Sequence, residues 1–94
     1  MRVETSNFEW DDDKNRLNIE KHGVSFLIAQ NAFLDLRRII AEDEAHSSIE
    51  KRYFCIGSVA AEILTVRFTW RSGCIRIFGA GFWRKGKQIY EEQN

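Results

Sequence analysis

Between His46 and Arg52 the chain brings together an imidazole, the Glu50 carboxylate and the Arg52 guanidinium, just ahead of the apolar run Tyr53-Phe54-Cys55-Ile56-Gly57. These side chains suit metal-free phosphodiester cleavage, which needs one group to move protons and another to hold phosphate charge. If the run from Glu50 is extended, Glu50 and Arg52 point to one face, because strand side chains alternate with period two. The plainer reading of the same residues is a solvated loop entering a strand.

The elements that must position this segment belong to one domain spanning residues 1–94, long enough for a modest core. The apolar share of 44% fits a folded globule rather than a disordered chain. No apolar run approaches the length of a membrane span, and Met1-Arg2-Val3-Glu4 continues into charge rather than an apolar leader core, so no membrane or secretory role is expected. Cys55 and Cys74 lie in apolar, strand-like runs and read as buried thiols in a reducing compartment. The two histidines, His22 and His46, have no carboxylate–histidine signature around them, so neither a metal site nor any other cofactor is expected.

Lysine plus arginine equals aspartate plus glutamate, at 14 each. The charges are nevertheless segregated. From Lys51 to Lys87 the only acid is Glu62, against Lys51, Arg52, Arg67, Arg71, Arg76, Arg84, Lys85 and Lys87. The first half carries the acidic clusters Asp11-Asp12-Asp13 and Glu42-Asp43-Glu44. Such a pattern can make a basic face on a neutral protein, or can simply reflect two solvated halves.

Phe8-Glu9-Trp10 reads as an edge strand. Asp11 or Asp12 can cap a helix running through Lys14 to His22, which Gly23 stops in a left-handed conformation. His22 reads as a structural residue at the negative end of that helix. Ser25 opens a second helix with Phe26, Ala29, Ala32 and Phe33 on one stripe. A strand follows around Arg38-Ile39-Ile40-Ala41, and the acidic stretch Glu42–Glu44 is a turn. Three strands come next, Arg52–Val59, Ile63–Trp70 and Cys74–Ala80, and a short helix over Lys85–Glu92 ends the chain.

Ser72-Gly73 reads as a two-residue hairpin turn. That register sets Trp70 opposite Ile75 and Phe68 opposite Ile77, so one face carries Leu64, Val66, Phe68, Trp70, Ile75 and Ile77. The other carries Thr65, Arg67, Thr69, Arg71, Cys74, Arg76 and Phe78, which puts Arg67 and Arg76 on neighbouring strands within reach of one phosphate. A slip of one residue would exchange the faces.

Taken together, these residues resemble the BrnT family of type II toxins. Phe8-Glu9-Trp10-Asp11 with Lys14, Asn18 and Lys21-His22-Gly23-Val24-Ser25-Phe26 is similar to the family's opening motif, and Ala29 and Phe33 to its continuation. His46-Ser47, Glu50, Arg52 and Ile56-Gly57 resemble its central motif. Val66-Arg67-Phe68-Thr69, Ile75-Arg76-Ile77 and Tyr90-Glu91 fit its end. The resemblance implies a small α+β domain of RelE-like fold, with an antiparallel sheet, two N-terminal helices and a short C-terminal helix. It also implies metal-independent RNA cleavage that arrests translation in the cytoplasm. The implied partners are RNA, ribosome-bound mRNA included, and a BrnA-like ribbon-helix-helix antitoxin that alone brings the complex to operator DNA. One departure stands out. Many members resemble one another in a Ser-Ala-Arg segment after the last strand, whereas here Ala80 is followed by Gly81-Phe82-Trp83-Arg84-Lys85-Gly86-Lys87.

On that resemblance His46 is the proton carrier, Glu50 a base or an orienting group, and Arg67 and Arg76 the phosphate holders, with Arg52 joining them or pairing with Glu50. Arg71, Trp83, Arg84, Lys85 and Lys87 are expected to bind RNA, Trp83 by stacking on a base. The competing expectation is a catalytically weak module that binds an antitoxin and tunes operon repression. Ser47 has no base pattern around it and is not expected to act as a nucleophile.

Overall fold

A computed structural model describes residues 7–94, so the expectation for Met1-Arg2-Val3-Glu4 lies outside the described residues. The elements run β1 (Asn7–Glu9), α1 (Asp12–His22), α2 (Phe26–Ala29), a 3-10 segment (Gln30–Leu34), β2 (Ile39–Glu42), a 3-10 turn (Glu44–His46), β3 (Tyr53–Val59), β4 (Glu62–Arg71), β5 (Cys74–Gly81) and α3 (Arg84–Gln93). They form a small α+β domain around one five-stranded sheet of order β1-β5-β4-β3-β2.

The sheet is mixed, which corrects the expectation of a wholly antiparallel one. β2, β3, β4 and β5 pair antiparallel in sequence, whereas β1 joins β5 in parallel with Phe8 beside Ile75. No hairpin ties β1 to its neighbour. Both helices and three strands intervene, so its direction is set by where the chain enters α1.

Asp11 caps α1 by accepting from Lys14 N–H at 3.0 Å, and Gly23 closes it at φ 70°. The helix holds the fold less through an apolar stripe than through two asparagines; Leu17 and Ile19 stay nearly half exposed. Asn15 Oδ1 accepts from Phe26 N–H at 2.8 Å. Asn18, 8% exposed, donates to Val24 O and Ala80 O at 2.9 Å each and accepts from Ala80 N–H at 3.2 Å. Its amide thus meets both backbone groups of Ala80, as a neighbouring strand would, past the point where β1 ends.

Ser25 caps α2. The helix tightens to 3-10 after one turn rather than running on, but Phe26, Ala29, Ala32 and Phe33 are all fully buried as the stripe requires. They pack on Cys55, Leu64, Val66, Phe68, Ile75 and Ile77. Gly57 is needed beneath this layer, because a Cβ there would overlap the Ala32 carbonyl. Burial pushes the Cys55 thiol up to about 12, so the core keeps it neutral.

The β4–β5 hairpin has the expected register, with Trp70 opposite Ile75, Phe68 opposite Ile77 and Ser72-Gly73 both at positive φ. Beyond Ile77 a bulge intervenes: Arg67 faces Gly79, and Phe78 is left unpaired. The β3–β4 turn is Ala60-Ala61, also at positive φ.

Helix α3 lies on the sheet face opposite α2, against β3 and β4, with Gly86 seated on Thr65. Its far end is pinned by Tyr90, whose hydroxyl donates to Asp35 Oδ2. Asp35 also accepts from Ser58 N–H at 2.7 Å and Arg37 N–H at 2.9 Å. Burial alone would push its carboxyl up, but these three hydrogen bonds and the Arg37 charge outweigh it and hold the group below its usual range. The bond to Asp35 raises the Tyr90 phenol correspondingly, helped by burial and the Asp35 charge. With α3 over one half of this face, the other half, bearing Phe54, Arg67, Arg71, Arg76 and Phe78, stays open. No helix among the described residues is long and apolar enough to cross a membrane.

Candidate active site

The open half of that face meets the loop from β2 to β3. Asp43 N–H donates to Arg52 O at 2.7 Å and closes the neck of the loop. Ser47 staples it from within: its hydroxyl accepts from Arg52 N–H at 2.9 Å and donates to Asp43 O at 2.7 Å. The intervening 3-10 turn carries His46 back over Asp43, three residues behind it.

There His46 Nδ1 lies 2.8 Å from Asp43 Oδ2. A carboxylate oxygen accepts here, so Nδ1 is the donor, and a neutral imidazole held this way keeps its lone pair on Nε2. The Asp43 side chain is 8% exposed and the His46 ring 58%, so an enclosed carboxylate orients an accessible imidazole. His46, Asp43, Arg52, Arg67 and Phe78 line one narrow cleft.

Each cation in the cleft has a support. The Arg52 guanidinium stands 4.2 Å from the centroid of the Phe78 ring, a cation–π contact, and Lys14 of α1 approaches the same ring at 5.4 Å. The bulge at Phe78 presents this ring. Arg67 lies across Gly79, where a Cβ would come within 3.1 Å of Nη2, so glycine leaves the arginine room. Among the described residues Arg67 has no carboxylate partner, and its charge is available to an anion.

The other expected residues are placed differently. Both Glu50 oxygens accept from Arg71 Nη2, at 2.9 and 3.2 Å, and Glu50 stands 3.8 Å from Arg52. It borders a second depression with His46, but the group bonded to His46 is Asp43. Arg76 faces Thr69, as the hairpin register sets it, and pairs with Glu9 at 3.4 Å; the bulge beyond it moves Arg67 from Phe78 to Gly79. Trp83 packs edge-on to His22 at 5.3 Å and over Gly81, and with Arg84 and Lys87 it lines a depression beside the Ala60-Ala61 turn. Lys85 is exposed on α3. None of these four lines the His46 cleft.

Asp43, Phe78 and Lys14 were not assigned to the site from sequence. Asp43 carried a usable signal, a carboxylate three residues before the histidine at the spacing of a single helical turn. Phe78 carried a partial one, since the hairpin register puts it on the arginine face, but the bulge that turns its ring toward Arg52 has no local signature. Among the described residues no three His, Cys, Asp or Glu side chains gather as a metal-binding group.

No relative among curated proteins matches the chain significantly. The family model described as the ribonuclease toxin BrnT of type II toxin–antitoxin systems matches residues 10–86, from Trp10 beside α1 to Gly86 in α3, and so takes in every residue of the cleft. The chain belongs to the BrnT family of ribonuclease toxins of type II toxin–antitoxin systems.

Proposed function

We propose that the protein cleaves RNA without a metal ion, by attack of a ribose 2′-hydroxyl on the adjacent phosphorus, and thereby arrests translation. The observation that carries this reading is the Asp43–His46 pair opening onto the same cleft as Arg52 and Arg67. Neutral His46 takes the 2′-hydroxyl proton on Nε2 while the O2′–P bond forms. The P–O5′ bond breaks, and the leaving oxygen takes a proton from solvent. Arg52 and Arg67 hold the non-bridging oxygens, where charge builds in the transition state. Glu50 holds Arg71 and steadies Arg52. Arg76 and Arg71 extend the basic surface, and Trp83, Arg84, Lys85 and Lys87 contact RNA beyond the cleft.

The protein acts in the cytoplasm and is held by a BrnA-like ribbon-helix-helix antitoxin, through which alone it reaches operator DNA. The test is cleavage of an RNA oligonucleotide in EDTA. Wild type should leave 2′,3′-cyclic phosphate ends, and His46→Ala should lose at least about a hundredfold in rate, in line with loss of a general base. Products with 3′-hydroxyl ends, or activity abolished by EDTA, would refute the mechanism. A second reading, a catalytically weak module that tunes repression, is favoured by one observation: Trp83 occupies the space above Gly81, where the resemblance to many family members leads one to expect arginine. Growth unaffected by induction of the chain alone would support that reading.

A further inference from the structure

The sheet ends on one side at β2, whose outer edge pairs with no strand among the described residues. The hydrogen-bond phase of that edge follows from one contact. Asp43 N–H points inward to Arg52 O, so Ala41 and Ile39 point inward too, and the backbone groups of Ile40 and Glu42 point out. The Arg38 N–H is taken by Asp35 O, which leaves its carbonyl to the edge. Ile40 is 41% exposed in the middle of this strand.

The side chains around Ile40 are arranged symmetrically in position and oppositely in charge. Glu42 lies two residues after it on the same strand face, and Arg38 two before, one residue ahead of the strand, where continued alternation would bring it to that face. Arg38 has no carboxylate partner among the described residues; its Nη1 donates to Asp35 O and its Nε is buried without a partner, which leaves Nη2 to face outward contacts. Among the described residues Glu42 holds only the exposed Lys51, at 3.3 Å. A single charged residue would serve to discourage pairing at an edge. A cation and an anion mirrored about an isoleucine instead make the edge complementary to itself.

We propose that two copies of this chain pair antiparallel through β2, with Ile40 on the two-fold axis, to make one continuous ten-stranded sheet. Ile40 exchanges reciprocal backbone hydrogen bonds with the partner's Ile40. Glu42 N–H donates to the partner's Arg38 O, and the same bond forms in reverse. The Arg38 guanidinium then faces the partner's Glu42 carboxylate at both ends of the ladder. Sliding the pair by two residues keeps the hydrogen-bond phase but sets Glu42 against the partner's Ile40, so charge selects the register. The interface is isologous and closes on itself. It does not depend on the catalytic reading.

The test is sedimentation of the purified full chain across a concentration series. Wild type should approach the mass of two chains. Glu42→Arg and Arg38→Glu should each weaken association at least about tenfold, because each sets like charges opposite one another twice. An equimolar mixture of the two variants should restore it, since both cross-strand pairs are again opposite in sign. Circular dichroism checks that each variant is folded. Amide exchange of the wild type supplies an independent readout, with Ile40 and Glu42 becoming protected as concentration rises. A wild-type chain that stays single at every concentration overturns the proposal and leaves the edge to a strand from another protein. Dimers that survive Glu42→Arg, or variants that fail to rescue one another, overturn it as well.

Discussion

Removing the Asn18 amide should be among the most damaging single changes outside the apolar core. Asn18→Ala orphans Val24 O, Ala80 O and Ala80 N–H together. Val24 is 4% exposed and Ala80 0%, so water has little access to replace the lost partners. A buried backbone group left unsatisfied costs about 1–3 kcal/mol. Three such groups give roughly 3–9 kcal/mol, and alanine's better helix propensity returns only about 0.6 kcal/mol. Partial relaxation of β5 brings the expected loss to about 3–4 kcal/mol, a large fraction of the ~5–15 kcal/mol that stabilises such a domain. The midpoint of thermal unfolding should fall by roughly 15 °C or more. Asn18→Asp should be at least as harmful, since it keeps the acceptor for Ala80 N–H but turns a carboxylate oxygen toward two carbonyls. Urea unfolding followed by tryptophan fluorescence measures both variants. An Asn18→Ala protein within about 1 kcal/mol of wild type, with unchanged m-value, would refute the view that this side chain stands in for a missing strand.

Three further outcomes are expected. Replacing Ala60-Ala61 by Asn-Gly relieves two left-handed alanines in the β3–β4 turn and should stabilise the protein by about 1 kcal/mol; calorimetry showing no rise in melting temperature would count against strain there. Tyr90→Phe should cost about 1 kcal/mol near neutrality, since the bond to the Asp35 carboxylate is only partly shielded from water. The Asp35 carboxyl is lowered on folding, so its contribution is present above the unfolded value near pH 4 and fades as pH falls through the folded one; the raised Tyr90 phenol contributes below about pH 10 and fades above it. Wild type and variant should therefore converge in both acid and alkali, and a gap independent of pH would contradict this. Gly81→Arg should destabilise by roughly 1–3 kcal/mol, because its Cβ would come within 2.9 Å of the Trp83 ring, and Trp83→Ala in the same chain should recover much of that; strictly additive losses in a double-mutant cycle would rule out the clash.

The elements legible in the sequence were those written in local chemistry. Asp11 and Gly23 bound α1, Ser25 opens α2, and Ser72-Gly73 sets a hairpin whose register follows from the turn alone. Three features lay outside that reach. The direction of β1 depends on a partner 67 positions away, Arg76 beside Glu9. The Ala60-Ala61 turn adopts positive φ without glycine or asparagine, held by the pairing of β3 with β4 on either side. The third is the attachment of α1 by asparagines, invisible to any search for an apolar stripe, although Asn18 was among the residues that carried the family resemblance.

The site divides along the same line. His46, Arg52 and Arg67 could be singled out by residue type, and they do line one cleft. The residue that orients His46 could not be chosen from type alone, since Glu50 and Asp43 are both nearby carboxylates; the loop closure from Asp43 N–H to Arg52 O decides it. The segment after β5 follows from packing in turn. Gly81 and Trp83 are one feature, because the indole lies where any side chain at position 81 would begin. An arginine directly after Ala80, the residue the family resemblance leads one to expect there, would therefore require that indole to move. Arg84 lines the depression beside the Ala60-Ala61 turn and not the His46 cleft. The positive charge at the cleft consequently rests on Arg52 and Arg67, one braced by Phe78 and the other given room by Gly79, both of which lie in the bulged stretch of β5 just ahead of the residue clamped by Asn18.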